Sequence, residues 1–188
     1  MVKRVFLSIS LPETVVNEIE RVVDKLKRIL PYGIRFVPQE NWHITLIFLG
    51  NRTEEEIQKL IRSSEKIGSI TSPVPVEIDS IAYGPNSRNP RMIWANTTPK
   101  TSLCLEKLSN LILQDLKNNQ ANITAIERVL NGHITLARLA DYIDKTKLPI
   151  IDFKCLISFQ TKNFTLVESE LDPKGATYST IADFKFQE

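Results

Sequence analysis

Two tetrapeptides hold the residues of this 188-residue chain best suited to chemistry: His43-Ile44-Thr45-Leu46 and His133-Ile134-Thr135-Leu136. They contain its only two histidines. At ordinary residue frequencies, Ile-Thr-Leu would follow both by chance about once in several thousand. Side chains alternate faces along a strand, so His43 and Thr45 share one face while Ile44 and Leu46 share the other, and the second tetrapeptide repeats this. Each therefore roots two apolar side chains in a core and presents an imidazole with a hydroxyl.

Imidazole titrates near 6.5, so at neutral pH one ring can hold a proton while its counterpart lacks one, as concerted acid and base catalysis requires. Threonine hydroxyls donate to phosphoryl oxygens. Two such strands brought face to face by a pseudo-twofold would form a cleft for a tetrahedral phosphate. Hydrolysis of a cyclic phosphodiester needs a base to activate water and an acid to protonate the departing oxygen. The paired histidines meet both needs, and the symmetry of the motifs leaves open which ring does which. Histidine is also a common metal ligand, but the sequence offers no third and fourth ligand to complete a site. Cys104 and Cys155 stand in no metal-binding spacing and read as buried apolar fillers in a reducing cytosol.

The elements that must position these strands follow from periodicity. Pro12 marks a helix start, with Val15, Val16, Ile19, Val22, Val23, Leu26, Ile29 and Leu30 at helical spacing behind it. Pro31, Tyr32 and Gly33 end that helix, and Ile34 to Val37 leads as a strand to the first histidine strand, closed by Gly50. Thr53 and Glu56 form a capping-box signature before Ile57, Leu60, Ile61 and Ile67. Two strands around Val76 to Tyr83 and Arg91 to Ala95 flank a turn-rich loop. Pro99 then opens a third helix carrying Leu103, Leu108, Leu111, Ile112 and Leu116. Runs at Phe153 to Phe159, Phe164 to Ser169 and Tyr178 to Phe186 read as closing strands, with a turn at Asp172-Pro173-Lys174-Gly175. Strand-helix-strand-strand order occurs twice. The reading is an α+β fold of two pseudo-symmetric lobes, each a mainly antiparallel sheet with helices packed outside and the cleft between them, with residues 1–188 acting as one unit.

Composition narrows the function. The 42% hydrophobic content suffices for a core, and 24 basic against 22 acidic residues leave a net charge of +2. That balance lacks the basic arm of a protein binding long nucleic acid nonspecifically. The opening run Val2 to Ile9 reads as a strand, not a signal peptide, and no apolar stretch approaches the ~20 residues of a membrane span. A cytoplasmic protein with no membrane association is expected.

At the histidine motifs the sequence resembles the two-histidine phosphoesterase superfamily, defined by paired His-x-Thr/Ser-x motifs, and more closely the RNA 2',3'-cyclic phosphodiesterase (2'-5' RNA ligase) family. Arg4 to Pro12 is similar to that family's opening strand, Glu40 to Gly50 to its first motif with flanks, and Leu166 to Ser169 with Tyr178 to its closing segment. The resemblance implies metal-independent opening of a terminal 2',3'-cyclic phosphate on RNA to a 2'-phosphate, with no cofactor. It makes His43 the proton donor and His133 the proton acceptor, and has Thr45 and Thr135 hold the phosphate. RNA or an oligonucleotide with a cyclic-phosphate end is the implied partner, with no obligate protein partner and a monomeric chain. Ligation to a 5'-hydroxyl RNA end, or nonenzymatic binding of RNA ends, are the alternatives.

The same resemblance implies Arg138 as a phosphate or nucleotide contact. Phe48, in the equivalent place after His43, either stacks on a base or packs in the core. Strict alternation puts both on the face of Ile44 and Ile134, so they reach the site only if the strands twist, bulge or end first. Trp94, Arg91 and Tyr178 are weaker candidates for the cleft, since strand tryptophan and tyrosine are usually packed. Leu130-Asn131-Gly132 replaces the family's usual phenylalanine and proline, which predicts a looser lead into the second histidine strand.

Overall fold

The computed structural model describes residues 1–119, 121, 123, 131–151, 153–172 and 175–187. Leu130 and the Pro173-Lys174 pair of the expected turn lie outside them. The chain runs β1 (Val2–Ser10), α1 (Glu13–Ile29), β2 (Ile34–Phe36), β3 (His43–Thr53), α2 (Glu54–Ile70), β4 (Pro75–Gly84), β5 (Met92–Thr97), α3 (Pro99–Asn118), β6 (His133–Leu139), β7 (Lys154–Gln160), β8 (Asn163–Asp172) and β9 (Gly175–Lys185).

The helices begin where their caps dictate. Pro12 occupies the N-cap of α1, which buries Val15, Ile19, Val23 and Leu26. At α2 the Thr53 hydroxyl accepts from Glu56 N while the Glu56 carboxylate accepts from Thr53 N at 2.7 Å, the reciprocal bonding of a capping box. Thr98 caps α3 with Pro99 in its first turn. Leu105, Leu108, Ile112 and Leu116 form the buried stripe of α3, whereas Leu103 and Leu111 are exposed. The 3.6-residue period carries those two leucines off the stripe.

The strands form one continuous sheet in the order β7-β4-β5-β6-β3-β1-β8-β9, with antiparallel neighbours throughout and β2 paired to β6 off this path. The two expected halves are its two arms, β3-β1-β8-β9 and β6-β5-β4-β7. The histidine strands lie side by side at the middle of the sheet, not face to face across a gap. A single ladder pair, Ile44 opposite Ile134, joins them. Beyond Leu136, β2 takes over that edge of β6: Val37 N donates to Leu136 O, and Ile34, Arg35 and Phe36 pair with Leu139, Arg138 and Ala137. The inserted strand leaves β3 and β6 no further pairing there, so the arms diverge.

Ile44 and Ile134 are fully buried in a core that also takes Leu46, Leu136, Leu60, Leu105 and Leu108. Helices α2 and α3 pack side by side over this face, tied by the Lys66–Asp115 ion pair, and the Ser109 hydroxyl donates to the Leu46 carbonyl. Helix α1 rests against β7. The opposite face of β3 and β6 is left open for the histidines.

Candidate active site

With Ile44 opposite Ile134, the same register sets His43 beside Thr135 and Thr45 beside His133, all four on the face away from the core. The histidines are diagonal neighbours, a relation that spans roughly 7–8 Å between backbones. The structure thus brings His43, His133, Thr45 and Thr135 together, each partly exposed between buried neighbours.

The two imidazoles are held in the same way. His43 Nδ1 donates to the Asn41 carbonyl at 2.8 Å, and His133 Nδ1 donates to the Asn131 carbonyl at 2.7 Å. A carbonyl can only accept, so each neutral ring carries its proton on Nδ1 and turns an Nε2 lone pair outward. The His43 Nε2 lies 3.1 Å from the Thr45 hydroxyl, which donates to it when the ring is neutral. Among the described residues His133 Nε2 has no such partner.

Aromatic rings pack both imidazoles. Phe6 stacks on His43 with centroids 4.9 Å apart, and Tyr178 meets His43 edge-on at 5.3 Å. Trp94 stacks on His133 at 3.9 Å and 25°. Burial in these surroundings pushes both imidazoles below their ordinary 6.5, against the opposing pull of the Asn41 and Asn131 carbonyls. The proximity of His133 lowers His43 further.

Arg138 and Phe48 reach this face, because strict alternation fails in both strands at the same place. Leu46 and Ile47 are both buried, as are Leu136 and Ala137, and the phase of exposure flips after each pair. The ladders carry matching shifts: Leu7 pairs with Ile47 but Ser8 with Thr45, and Ile93 pairs with Ala137 but Trp94 with Thr135. At this place each histidine strand therefore has an extra residue, a bulge that re-aims the side chains beyond it, and β3 carries a second one at Leu49, past Phe48. Phe48 is 52% exposed, which rules out its core reading, and its ring lies 6.2 Å from Phe6.

The lead into β6 is tight, contrary to expectation. Gly132 N donates to the Ser102 hydroxyl at 3.1 Å, and the Gly132 carbonyl accepts from both Thr97 N and the Thr97 hydroxyl. A Cβ at Gly132 would lie 2.5 Å from the Thr97 hydroxyl oxygen, so glycine is what lets the three bonds form. A proline there would lack the N–H that Ser102 receives.

Sequence reasoning missed Phe6 and Asn96 and set aside Trp94 and Tyr178. Asn96 pairs with His133 in the ladder, and its Oδ1 is buried with no hydrogen bond among the described residues. The usable signal was strand pairing, since each of these residues touches the histidines across strands rather than along the chain. Among the described residues no three His, Cys, Asp or Glu side chains cluster as a metal site, and no helix is long and apolar enough to cross a membrane.

Comparison with known proteins places this geometry. The LigT-like phosphoesterase family profile matches residues 9–94, which include the first motif, β4 and the first half of β5. An RNA 2',3'-cyclic phosphodiesterase of Thermus thermophilus is 28% identical, aligning over 98% of this chain and 90% of its own. One from Methanocaldococcus jannaschii is 29% identical over 96% and 99%. The crystal structure of TT0787 from T. thermophilus superposes with a TM-score of 0.81 at 27% identity, covering 98% of both chains. E. coli LigT, crystallised with 3'-AMP, shares the fold at a TM-score of 0.77 and 21% identity over the full length of both.

Proposed function

We propose that the chain is a LigT-like phosphoesterase, as its similarity to that family suggests, and an RNA 2',3'-cyclic phosphodiesterase that yields a 2'-phosphate. The observation that carries this reading is the duplicated site: two imidazoles with the same Nδ1 tether, each with a threonine hydroxyl beside it, on adjacent strands.

The cyclic phosphate sits between the imidazoles, its nonbridging oxygens accepting from the Thr45 and Thr135 hydroxyls. His133, whose Nε2 lone pair has no partner among the described residues, removes a proton from water as the water oxygen bonds to phosphorus. The bond from phosphorus to the 3'-oxygen breaks, and protonated His43 gives that oxygen its Nε2 proton. The 2'-oxygen keeps the phosphate. Burial serves both roles, since it keeps the base neutral and makes the acid a readier donor. Arg138 adds a fixed positive charge on the same face. Both motifs come from one chain, which supports catalysis by a monomer in which residues 1–188 act together.

The deciding assay is product analysis on RNA ending in a 2',3'-cyclic phosphate, in EDTA. A 2'-phosphate end that disappears with His43→Ala or His133→Ala is the expected result. Unopened substrate would refute the reading, and joining to an added 5'-hydroxyl RNA would replace hydrolysis with ligation.

A further inference from the structure

We propose that Arg35, Arg91, Tyr32 and Tyr142 form a track that holds the single-stranded RNA leading up to the cyclic phosphate. The inference rests on the cyclic-phosphodiesterase reading and extends it from the terminal nucleotide to the chain behind it.

The track starts at Arg138. Strand β2 places Arg35 directly opposite Arg138 in the ladder, and the Arg91 carbonyl accepts from Leu139 N on the other side of β6. All three arginines are exposed and line one cavity of about 480 Å³. Like charges directly opposite on neighbouring strands destabilise a sheet. Here nothing offsets them, because among the described residues none of the three guanidiniums has an ion pair or hydrogen bond, and Asp141 is the sole carboxylate lining the cavity. A polyanion would relieve that repulsion at two or more points.

A second cavity, of about 350 Å³, shares Gly33 and Arg35 with the first and is lined by Tyr32 and Tyr142. These rings are 97% and 75% exposed, far from the packed state expected of tyrosine. The Tyr142 ring lies against the backbone of Gly33, where φ is +96° and a Cβ would come within 2.8 Å of the phenol oxygen. Glycine thus gives the ring its seat. Unpaired cations followed by exposed aromatic faces are how proteins hold single-stranded nucleic acid, the cations on phosphates and the rings on bases. A net charge of only +2 confines this affinity to the patch.

The test compares a mononucleoside 2',3'-cyclic phosphate with an oligoribonucleotide carrying the same end. Arg35→Ala with Arg91→Ala is expected to raise KM about tenfold or more for the oligonucleotide and to leave the mononucleotide unchanged. Tyr32→Ala with Tyr142→Ala is expected to raise it about fivefold or more, again only for the longer substrate. Binding of a fluorescent oligoribonucleotide with a 3'-phosphate end, followed by anisotropy, should lose about 1.4 from the slope of log affinity against log salt in the arginine pair. An unchanged oligonucleotide KM and salt slope would overturn the track. If neither substrate is turned over, the catalytic reading fails, while the anisotropy measurement still decides the track.

Discussion

The His43 arm and the His133 arm repeat one backbone design and line it with different chemistry. Each has the Nδ1 tether to the carbonyl two residues back, the threonine two residues on and the bulge one turn of the pleat later. Around His43 the neighbours are Phe6, Tyr178 and Phe48, an aromatic wall. Around His133 they are Trp94, Asn96 and, past the bulge, Arg138 with Arg35 beside it. On the proposed function, the repeated part would serve the phosphate, which is itself nearly symmetric. On the proposed function, the divergent part would serve a substrate whose two sides differ, a flat base on one and an anionic chain on the other.

The strongest way to break the comparison is to remove one histidine at a time. His43→Ala and His133→Ala should each lower kcat by about 10²–10⁴-fold, and the double variant should lose little more, because acid and base act as a unit. If one single variant retains the wild-type rate, the arms are not equivalent partners. Next in size, Thr45→Val and Thr135→Val should each cost about 10–100-fold in kcat/KM, as expected for a hydrogen bond to a charged group of ~1.5–3 kcal/mol. Equal losses would mark both hydroxyls as phosphate donors, whereas a loss confined to Thr45 would reduce its role to seating His43.

Arg138→Ala against Phe48→Ala sharpens the divergent part. The arginine variant should raise KM about tenfold for any cyclic phosphate, and the phenylalanine variant should act by a smaller factor that depends on the base. Initial-rate kinetics with purine and pyrimidine nucleoside cyclic phosphates would reverse the assignment if Phe48 were blind to the base.

The smallest effects are expected from pH. With both imidazoles held below 6.5, the singly protonated pair of the free enzyme is most populated on the acid side of that value. The kcat/KM profile should be a bell centred below 6.5, with limbs that belong to the pair. A centre above 6.5 would contradict the burial argument. The sign for stability comes from the same shifts. The unfolded chain takes up protons at about 6.5 and the folded one only at lower pH, so this contribution is complete above 6.5 and is lost as pH falls toward the folded values. Urea midpoints at pH 5 and pH 8 should therefore differ less for the double His→Gln variant than for the parent.

Much of this was legible in the sequence, for identifiable reasons. The cap at Thr53, the proline start at Pro99 and the apolar stripe of α1 are local signals, and the structure obeys them. The histidine and threonine constellation was legible because it occurs twice. What escaped was set by pairing between distant strands. The extra residues at Leu46-Ile47 and Leu136-Ala137 look like ordinary apolar runs, yet they decide that Phe48 and Arg138 face the site. The Gly132 lead-in read as loose because its three hydrogen bonds come from Thr97 and Ser102, about 30 residues away. Leu103 and Leu111 misled for the opposite reason, since apolar identity alone does not place a residue on the buried stripe.

Strand β1 is flanked by β3 on one side and β8 on the other, with Lys3 paired to Glu168 across the second boundary. A ribosome releases β3, which ends at Thr53, soon after β1, but β8 begins only at Asn163, so one side of the first strand stays an open edge while the chain between them is made. That edge includes buried Phe6 and Leu7, and Phe6 is the ring that stacks on His43. Strands β8 and β9, made after both histidines, thus complete the surroundings of His43, and a chain cut short before β8 would carry both histidines with that wall unfinished.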